Sequence, residues 1–424
     1  MKSGHMTSRA RRLSFAVAVT STAALALTAC GGSGFEDSSG GGGGAEEASS
    51  GGPISVLIGS SGAAETEAVT EAVKEWSDES GVKAEVQVAS DLNQQLSQGF
   101  ASGEPADVFY LSTDQFVGYA ANGSLEPYAE DLENADKFYE GLREAFTYED
   151  EFYCAPKDFS TLALVINTGM WKDAGLTDAD IPTTWDELRA VSGKLTTDKT
   201  MGLAFSPEYQ RVGAFSAQAG GGLVSDDGTE ATVNSAANVE ALSYVKSMMK
   251  DGIAAYSSDL GAGWGGEAFG KGMAAMTIEG NWIAGAMSND FPKVDYQVAE
   301  LPAGPEGMGT LQYTNCLGIA ADSDNVQGSV ELVQHLTSEE SQMEFAESFG
   351  VMPSVESLAD QWKAEYPKLG AFIDGADYAQ NLPSQEGAAD VIAELNAQLA
   401  TLESSDPQQI LDSVQQNMQA VVQD

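Results

Sequence analysis

The sequence predicts an α/β protein of two domains, on three observations. Short β-branched runs alternate with helical stretches from residue 54 to residue 111, the rhythm of a parallel sheet with crossover helices. A polar, glycine-rich stretch ends near Pro53 and leaves about 370 residues, more than one ordinary core holds. Neither an internal repeat nor a second long apolar run interrupts that body.

The elements follow in order. Residues 54–58 (ISVLI) read as a strand ending at Gly59, followed by a loop carrying Ser60 and Ser61. Residues 65–80 place Val69, Val73 and Trp76 at helical spacing and stop at Gly81. Residues 82–88 alternate as a strand, 92–101 read as a helix and 106–111 as a third strand. Ligands on such sheets sit beyond the carboxyl ends of the strands, which points to the loops at Ser60 and at residues 112–115. Further on, 161–167 is a buried strand, and 182–188 open a helix with a capping hydroxyl and a glutamate nearby. Residues 220–222 and 226–228 are turns, 236–250 a long amphipathic helix, and 273–278 and 317–320 strands. From Val326 the pattern is helical, interrupted at Pro353, Pro367 and Pro383.

Ahead of this body stands an export signal. Arg9, Arg11 and Arg12 precede an apolar run of 17 residues, 13–29, which ends in Leu27-Thr28-Ala29-Cys30. A cysteine directly after small residues at the cut is the mark of a bacterial lipoprotein, whose thiol takes a diacylglycerol. The chain is therefore expected to begin at Cys30 after cleavage, outside the cytoplasmic membrane and held to it by lipid. Residues 31–52 are almost entirely Gly, Ser, Ala, Glu and Asp, and predict a flexible tether with an r.m.s. reach of roughly 25 Å.

Charge excludes some partners. Lys+Arg number 20 and Asp+Glu 64; setting aside Lys2, Arg9, Arg11 and Arg12 leaves 16 bases against the same 64 acids, a formal net of −48. Such a surface repels phosphate backbones and does not adhere to anionic lipid, so nucleic acid is excluded and the acyl chains are left as the anchor. It serves equally as a solvated coat. Besides Cys30 only Cys154 and Cys316 remain, and in an oxidising compartment a leftover pair suggests a disulfide; the alternative is two separate buried thiols.

Motifs for chemistry are weak. Residues 261–266 (GAGWGG) match a dinucleotide pattern in form, but they follow no clear strand and no acid lies about twenty positions on; they are read as a loop presenting Trp264. His335 is the one histidine after the cut, placed on a helix, and no G-x-S-x-G elbow supplies a serine for it. Neither a catalytic group, a metal nor a cofactor is expected. Aromatics carry more: Trp264, Trp282, Tyr209, Tyr313 and Tyr378 fall in predicted loops or at strand ends, beside Asp, Glu and Asn. Rings stack on the apolar faces of a sugar while carboxylates and amides meet its hydroxyls, although any single loop aromatic is as readily core or rim.

With residues 105–119 (PADVFYLSTDQFVGY), 154–167 (CAPKDFSTLALVIN), 182–188 (PTTWDEL) and 269–282 (FGKGMAAMTIEGNW) in this order behind a lipobox, the chain resembles the extracellular solute-binding proteins of ABC sugar importers. It is most similar to the family of the maltose/maltodextrin-binding protein. The resemblance implies a two-lobed, periplasmic-binding-protein-like α/β fold with hinge strands between the lobes. It implies a first lobe of residues 53–158 and 305–323, and a second of 159–304 and 324–424. The first crossing would fall near Lys157 to Ser160, and Cys154 and Cys316 would lie on neighbouring strands close to the hinge. It further implies Asp114 as acceptor of a sugar hydroxyl, Trp282 as the stacking ring, Ser60 and Ser61 in the ligand loop, and Lys157 and Asp158 at the hinge floor. Glu208 and Tyr209 approximate an acid–aromatic pair; Trp264, Glu279, Asn281 and Tyr313 complete the expected contact set. Leu111 stands where the maltodextrin binder has a tryptophan, and Glu279-Gly280-Asn281 replaces its Asn-Gly-Pro, so the resemblance does not carry over the identity of the sugar.

The expected function is capture of a mono- or oligosaccharide in the interlobe cleft by a lipid-anchored monomer, which delivers it to membrane permease subunits without chemistry of its own. Two rivals stand beside it: a binder of another solute such as a polyamine, and a lipoprotein glycosidase with a close carboxyl pair.

Overall fold

The computed structural model describes residues 51–225 and 227–423. The expected signal (1–29), the lipidated Cys30 and all but the last two residues of the tether lie outside the described residues. The alternation read at 54–111 folds as β1 (Ile54–Ile58), α1 (Ala63–Ser80), β2 (Ala84–Val88), α2 (Leu92–Ser102), β3 (Val108–Ser112) and α3 (Thr113–Ala121). β1 lies parallel to both β2 and β3, because each connection is a helix that crosses back over the sheet. α1 buries Val69, Val73 and Trp76, the stripe its spacing predicts. α2 starts where the Asp91 carboxylate accepts from the Gln94 N–H at 3.0 Å, and stops at Gly103 with φ 73°.

α4 (Glu140–Ala145) and a small hairpin, β4 (Thr147–Tyr148) with β5 (Glu151–Phe152), lead into β6 (Ala155–Asn167). The strand expected at 161–167 is thus longer, at 13 residues, and its extra length is the crossing. Ala155 packs in one core with β1 and β3, whereas Leu162, Leu164 and Ile166 pack in another. The second body holds α5 (Thr168–Asp173), α6 (Trp185–Leu195), β7 (Met201–Phe205), α7 (Tyr209–Gln218), α8 (Ala236–Lys250), β8 (Ala254–Tyr256), α9 (Gly265–Gly270), β9 (Ala274–Gly280), α10 (Ile283–Asn289) and β10 (Tyr296–Ala299). β7 runs parallel to β8 and β9, and β6 antiparallel to β9 and β10.

β11 (Thr310–Ile319) is the return crossing, antiparallel to both β6 and β3. One path of strands therefore runs β2-β1-β3-β11-β6-β9-β7-β8, with the two crossing strands at its centre. Cys154, just ahead of β6, is bonded to Cys316 on β11 with their Cα atoms 5.6 Å apart, and both are fully buried.

The remaining elements are α11 (Val326–Leu336), α12 (Glu339–Phe349), α13 (Ala359–Glu365), α14 (Gly370–Asp374), β12 (Ala379–Gln380), α15 (Ala388–Leu399) and α16 (Pro407–Val421). Here the expected lobe boundary at Ser323 is corrected. Leu332, Val333, Leu336 and Phe345 of α11 and α12, with Val355 and Leu358, share the core of β1, β3 and α1. The apolar stripe of α11 buries against the first body before the chain leaves it, so that body extends to about Leu358. α15 and α16 do pack with the second, through Ile392, Leu395, Leu411 and Val414. A third core lies on the other face of β6, where Phe159, Ala163 and Val165 meet Phe269, Trp362 and Phe372. Among the described residues no helix is long and apolar enough to cross a membrane.

Candidate functional site

A cleft of about 620 Å³ opens over the crossing strands. Its floor is Lys157–Ser160 of β6 and Tyr313, Thr314 and Asn315 of β11. The first body lines it with Gly59 and Ser61, beyond the end of β1, and with Ser112, Thr113 and Asp114, where β3 runs into α3. Both segments follow carboxyl ends of parallel strands, where the two-lobed layout exposes backbone and side-chain polar groups to a ligand. The second body supplies Gln210, Asn281, Trp282 and the side of α15 carrying Ile392 and Asn396.

Charge in the cleft is paired before any ligand arrives. Lys157 Nζ contacts the Asp158 carboxylate, lies 3.2 Å from Glu65 Oε1, and stands 4.6 Å from the centroid of the Tyr110 ring. Burial alone would lower its pKa, but Asp158, Tyr110 and Glu65 outweigh that and hold it above the ordinary lysine value. Burial likewise pushes the Asp158 carboxyl up against the opposing pull of Lys157. Glu65 goes the other way: burial raises it, yet Lys157 and the Ser61 donors together bring it below the ordinary glutamate value. The Ser61 N–H and hydroxyl both donate to Glu65 Oε2 at 2.7 Å, which ties the loop after β1 to α1. Among the described lining residues Lys157 is the only lysine or arginine, against Glu65, Asp114 and Asp158. An anion finds no free cation here.

Phe159, Phe349, Trp282 and Tyr313 are the aromatic lining, and the last two form a pair. Trp282, 39% exposed, meets Tyr313 edge to face with centroids 5.8 Å apart and planes at 72°. The Tyr313 hydroxyl donates to the Gln210 carbonyl at 2.5 Å, so it offers its ring rather than its donor to the cleft. Amides line the same cleft and are held by one another or by the backbone. Asn396 donates to Gln210 Oε1 at 3.0 Å, Gln312 to Asn381 Oδ1 at 2.9 Å, and Asn281 to the Gly350 carbonyl at 2.9 Å.

Of the residues expected from sequence, Ser61, Asp114, Lys157, Asp158, Asn281, Trp282 and Tyr313 line this cleft. Ser60, Glu208, Tyr209, Trp264 and Glu279 are not among its lining. The Ser60 hydroxyl is turned onto the Gly62 carbonyl at 2.6 Å. Glu208 is the exposed cap of α7, and Tyr209, its first helical residue, turns into the second core at 3% exposure. The cleft position is taken by Gln210 instead. Trp264 does not sit in an open loop; it caps α9 and packs beside the third core. Glu279 is wholly buried behind Trp282. Sequence reasoning missed Glu65, Gln210, Gln312, Asn315, Asn381 and Asn396. On a helix or strand, or in Asn381's case in the loop after β12, such residues look like an ordinary solvated surface, and nothing in their spacing marks them otherwise.

The sequence profile of the bacterial extracellular solute-binding proteins matches residues 71–372. The chain belongs to this family. Its fold is that of two-lobed binding proteins: the cyclic α-maltosyl-1,6-maltose binding protein from Arthrobacter globiformis superposes with a TM-score of 0.78 at 19% identity, covering 88% of this chain and 99% of that one. UgpB from Mycobacterium tuberculosis, solved with glycerophosphocholine, gives 0.73 at 17% identity over 88% and 98%. In sequence the chain is 26% identical over 297 residues to the diacetylchitobiose binding protein DasA of Streptomyces coelicolor, 66% of this chain and 68% of that protein. A fold shared by such different binders leaves the ligand to be argued from the cleft.

Proposed function

We propose that the chain is the substrate-binding component of a sugar-importing ABC transporter. It takes an uncharged mono- or oligosaccharide between its lobes and delivers it to a membrane permease, held outside the cell by lipid on Cys30. The observation that carries this is the exposed Trp282 set edge to face against Tyr313 amid amides, in a cleft whose one lysine is already paired. Rings of that kind stack on the C–H faces of a pyranose, and amides and Asp114 meet its hydroxyls. The sugar specificities of DasA and of the Arthrobacter protein support the same class. Micromolar capture requires about −8 kcal/mol, which stacking and several hydrogen bonds to charged groups supply.

Calorimetric titration with neutral mono-, di- and tetrasaccharides tests the proposal; heat from at least one, and none from an anionic sugar phosphate, is the expected pattern. A second reading draws on three carboxylates facing one lysine: a polyamine would be attracted there. Spermidine in the same titration decides between them. Turnover of a chromogenic glycoside would instead mark a glycosidase, for which no residue here is assigned a chemical role.

A further inference from the structure

Trp282 is not left to find its own orientation. Its indole N–H donates to Glu279 Oε2 at 3.1 Å. The same oxygen accepts from Arg211 Nε at 3.2 Å and from Arg211 Nη2 at 2.9 Å. The Arg211 guanidinium carbon lies 5.3 Å from the centroid of the Trp282 ring, so the cation sits against the indole as well as against the carboxylate. The backbone completes the arrangement: the ring folds back over Gly280, where a Cβ would stand 2.3 Å from its six-membered part. Neither Arg211 nor Glu279 lines the cleft, and the Glu279 side chain is 0% exposed.

A buried ion pair stabilises a fold little or not at all compared with apolar residues of the same volume. Fold stability is thus a poor account of two charges placed behind a binding surface, whereas control of a ring is a good one. An indole free to rotate loses that freedom on stacking, and the loss is subtracted from affinity; a ring fixed in advance avoids it. The carboxylate also cancels the guanidinium, so the platform is held without presenting a cation to the ligand.

We propose that Arg211 and Glu279 are positioning residues that hold the Trp282 indole as a pre-set stacking platform for the ligand of this cleft. The saccharide is taken from the function proposed above; the anchor itself does not depend on it.

Two neutral pairs separate positioning from mere structure. Arg211→Met with Glu279→Leu removes both charges and the acceptor, while Arg211→Met with Glu279→Gln removes the charges and keeps an acceptor for the indole. The Trp282 N–H is followed by ¹⁵N NMR, assigned through its loss in Trp282→Phe, and saccharide affinity by calorimetry. The expected result is slow indole exchange in the unaltered protein and in the Gln pair. In the Leu pair exchange should be about ten-fold faster and affinity about ten-fold weaker. Gly280→Ala, which leaves the ion pair intact and displaces the ring, should lose affinity to a similar degree, and it carries the test if the pairs do not fold. Indistinguishable exchange and affinity in the two pairs, or normal affinity in Gly280→Ala, would overturn the proposal. Protected indole exchange without binding of any saccharide would uphold the anchor and discard the sugar; saccharide binding with exchange indifferent to the Leu pair would do the reverse.

Discussion

Lys157 is the cation around which the floor of the cleft is organised, with Asp158 beside it and Glu65 reaching across from α1. Its side chain is 11% exposed and that of Glu65 3%, so removing one member leaves charge buried without a counterpart. Lys157→Met should therefore cost about 3–5 kcal/mol, read as a lower denaturation midpoint with a native-like spectrum. The pH dependence follows from the same group. A carboxyl whose folded pKa lies below its ordinary value lends stability that is complete above that value and is lost as pH falls through the folded one. Glu65 is such a carboxyl, with an ordinary value of 4.5, so its share disappears on acidification below about that pH. Asp158 is held up and works in the opposite sense, since the folded state takes its proton early. Glu65→Gln should accordingly be less stable than the unaltered chain at neutral pH and lose less on going from about pH 5 to about pH 3, a difference that thermal melts across that range would show. At the ring, Trp282→Ala should weaken saccharide binding by about 2 kcal/mol, roughly thirty-fold, with the melting temperature nearly unchanged because the indole is partly exposed.

The elements that decide the architecture are β6 and β11. Each enters one core at one end and another core at the other, and their antiparallel pairing places the cleft floor where both change bodies. The Cys154–Cys316 bond fastens them on the side of the first body, across a sequence separation of 162 residues. Reduction should lower stability by about 2–5 kcal/mol in denaturant titrations, with the first body losing protection from hydrogen exchange ahead of the second. Much of this level was legible in the sequence. The alternation over 54–111 gave the parallel strands and their crossover helices because β1 and β3 are nearly continuous buried runs, the edge strand β2 alternates, and α1 carries a clean apolar stripe. The crossing at Lys157 to Ser160 was legible only through the family resemblance, because the strand that carries it reads as continuous with an ordinary buried run. What stayed hidden was where side chains point. Tyr209 looked like a loop aromatic until α7 began one residue earlier than the cleft needed, and α11 and α12 are amphipathic helices whose stripe does not say which body they serve.

At the scale of the whole molecule, the two-lobed fold allows the bodies to close over a ligand that touches both, and a ligand favours closure only by its stronger contacts in the closed form. An excess of 64 acids over 20 bases repels an anionic surface, which is consistent with the proposed attachment by lipid rather than by basic residues. Cys30→Ser should release the protein from the cell membrane into the medium, which immunoblotting of the two fractions would show. Closure around an uncharged carbohydrate is the central proposal, and one experiment reaches it directly: calorimetry with a neutral oligosaccharide series, with small-angle scattering on the same samples. Saturable heat accompanied by a smaller radius of gyration is the result predicted. No heat with any saccharide, together with an unchanged radius, would contradict it.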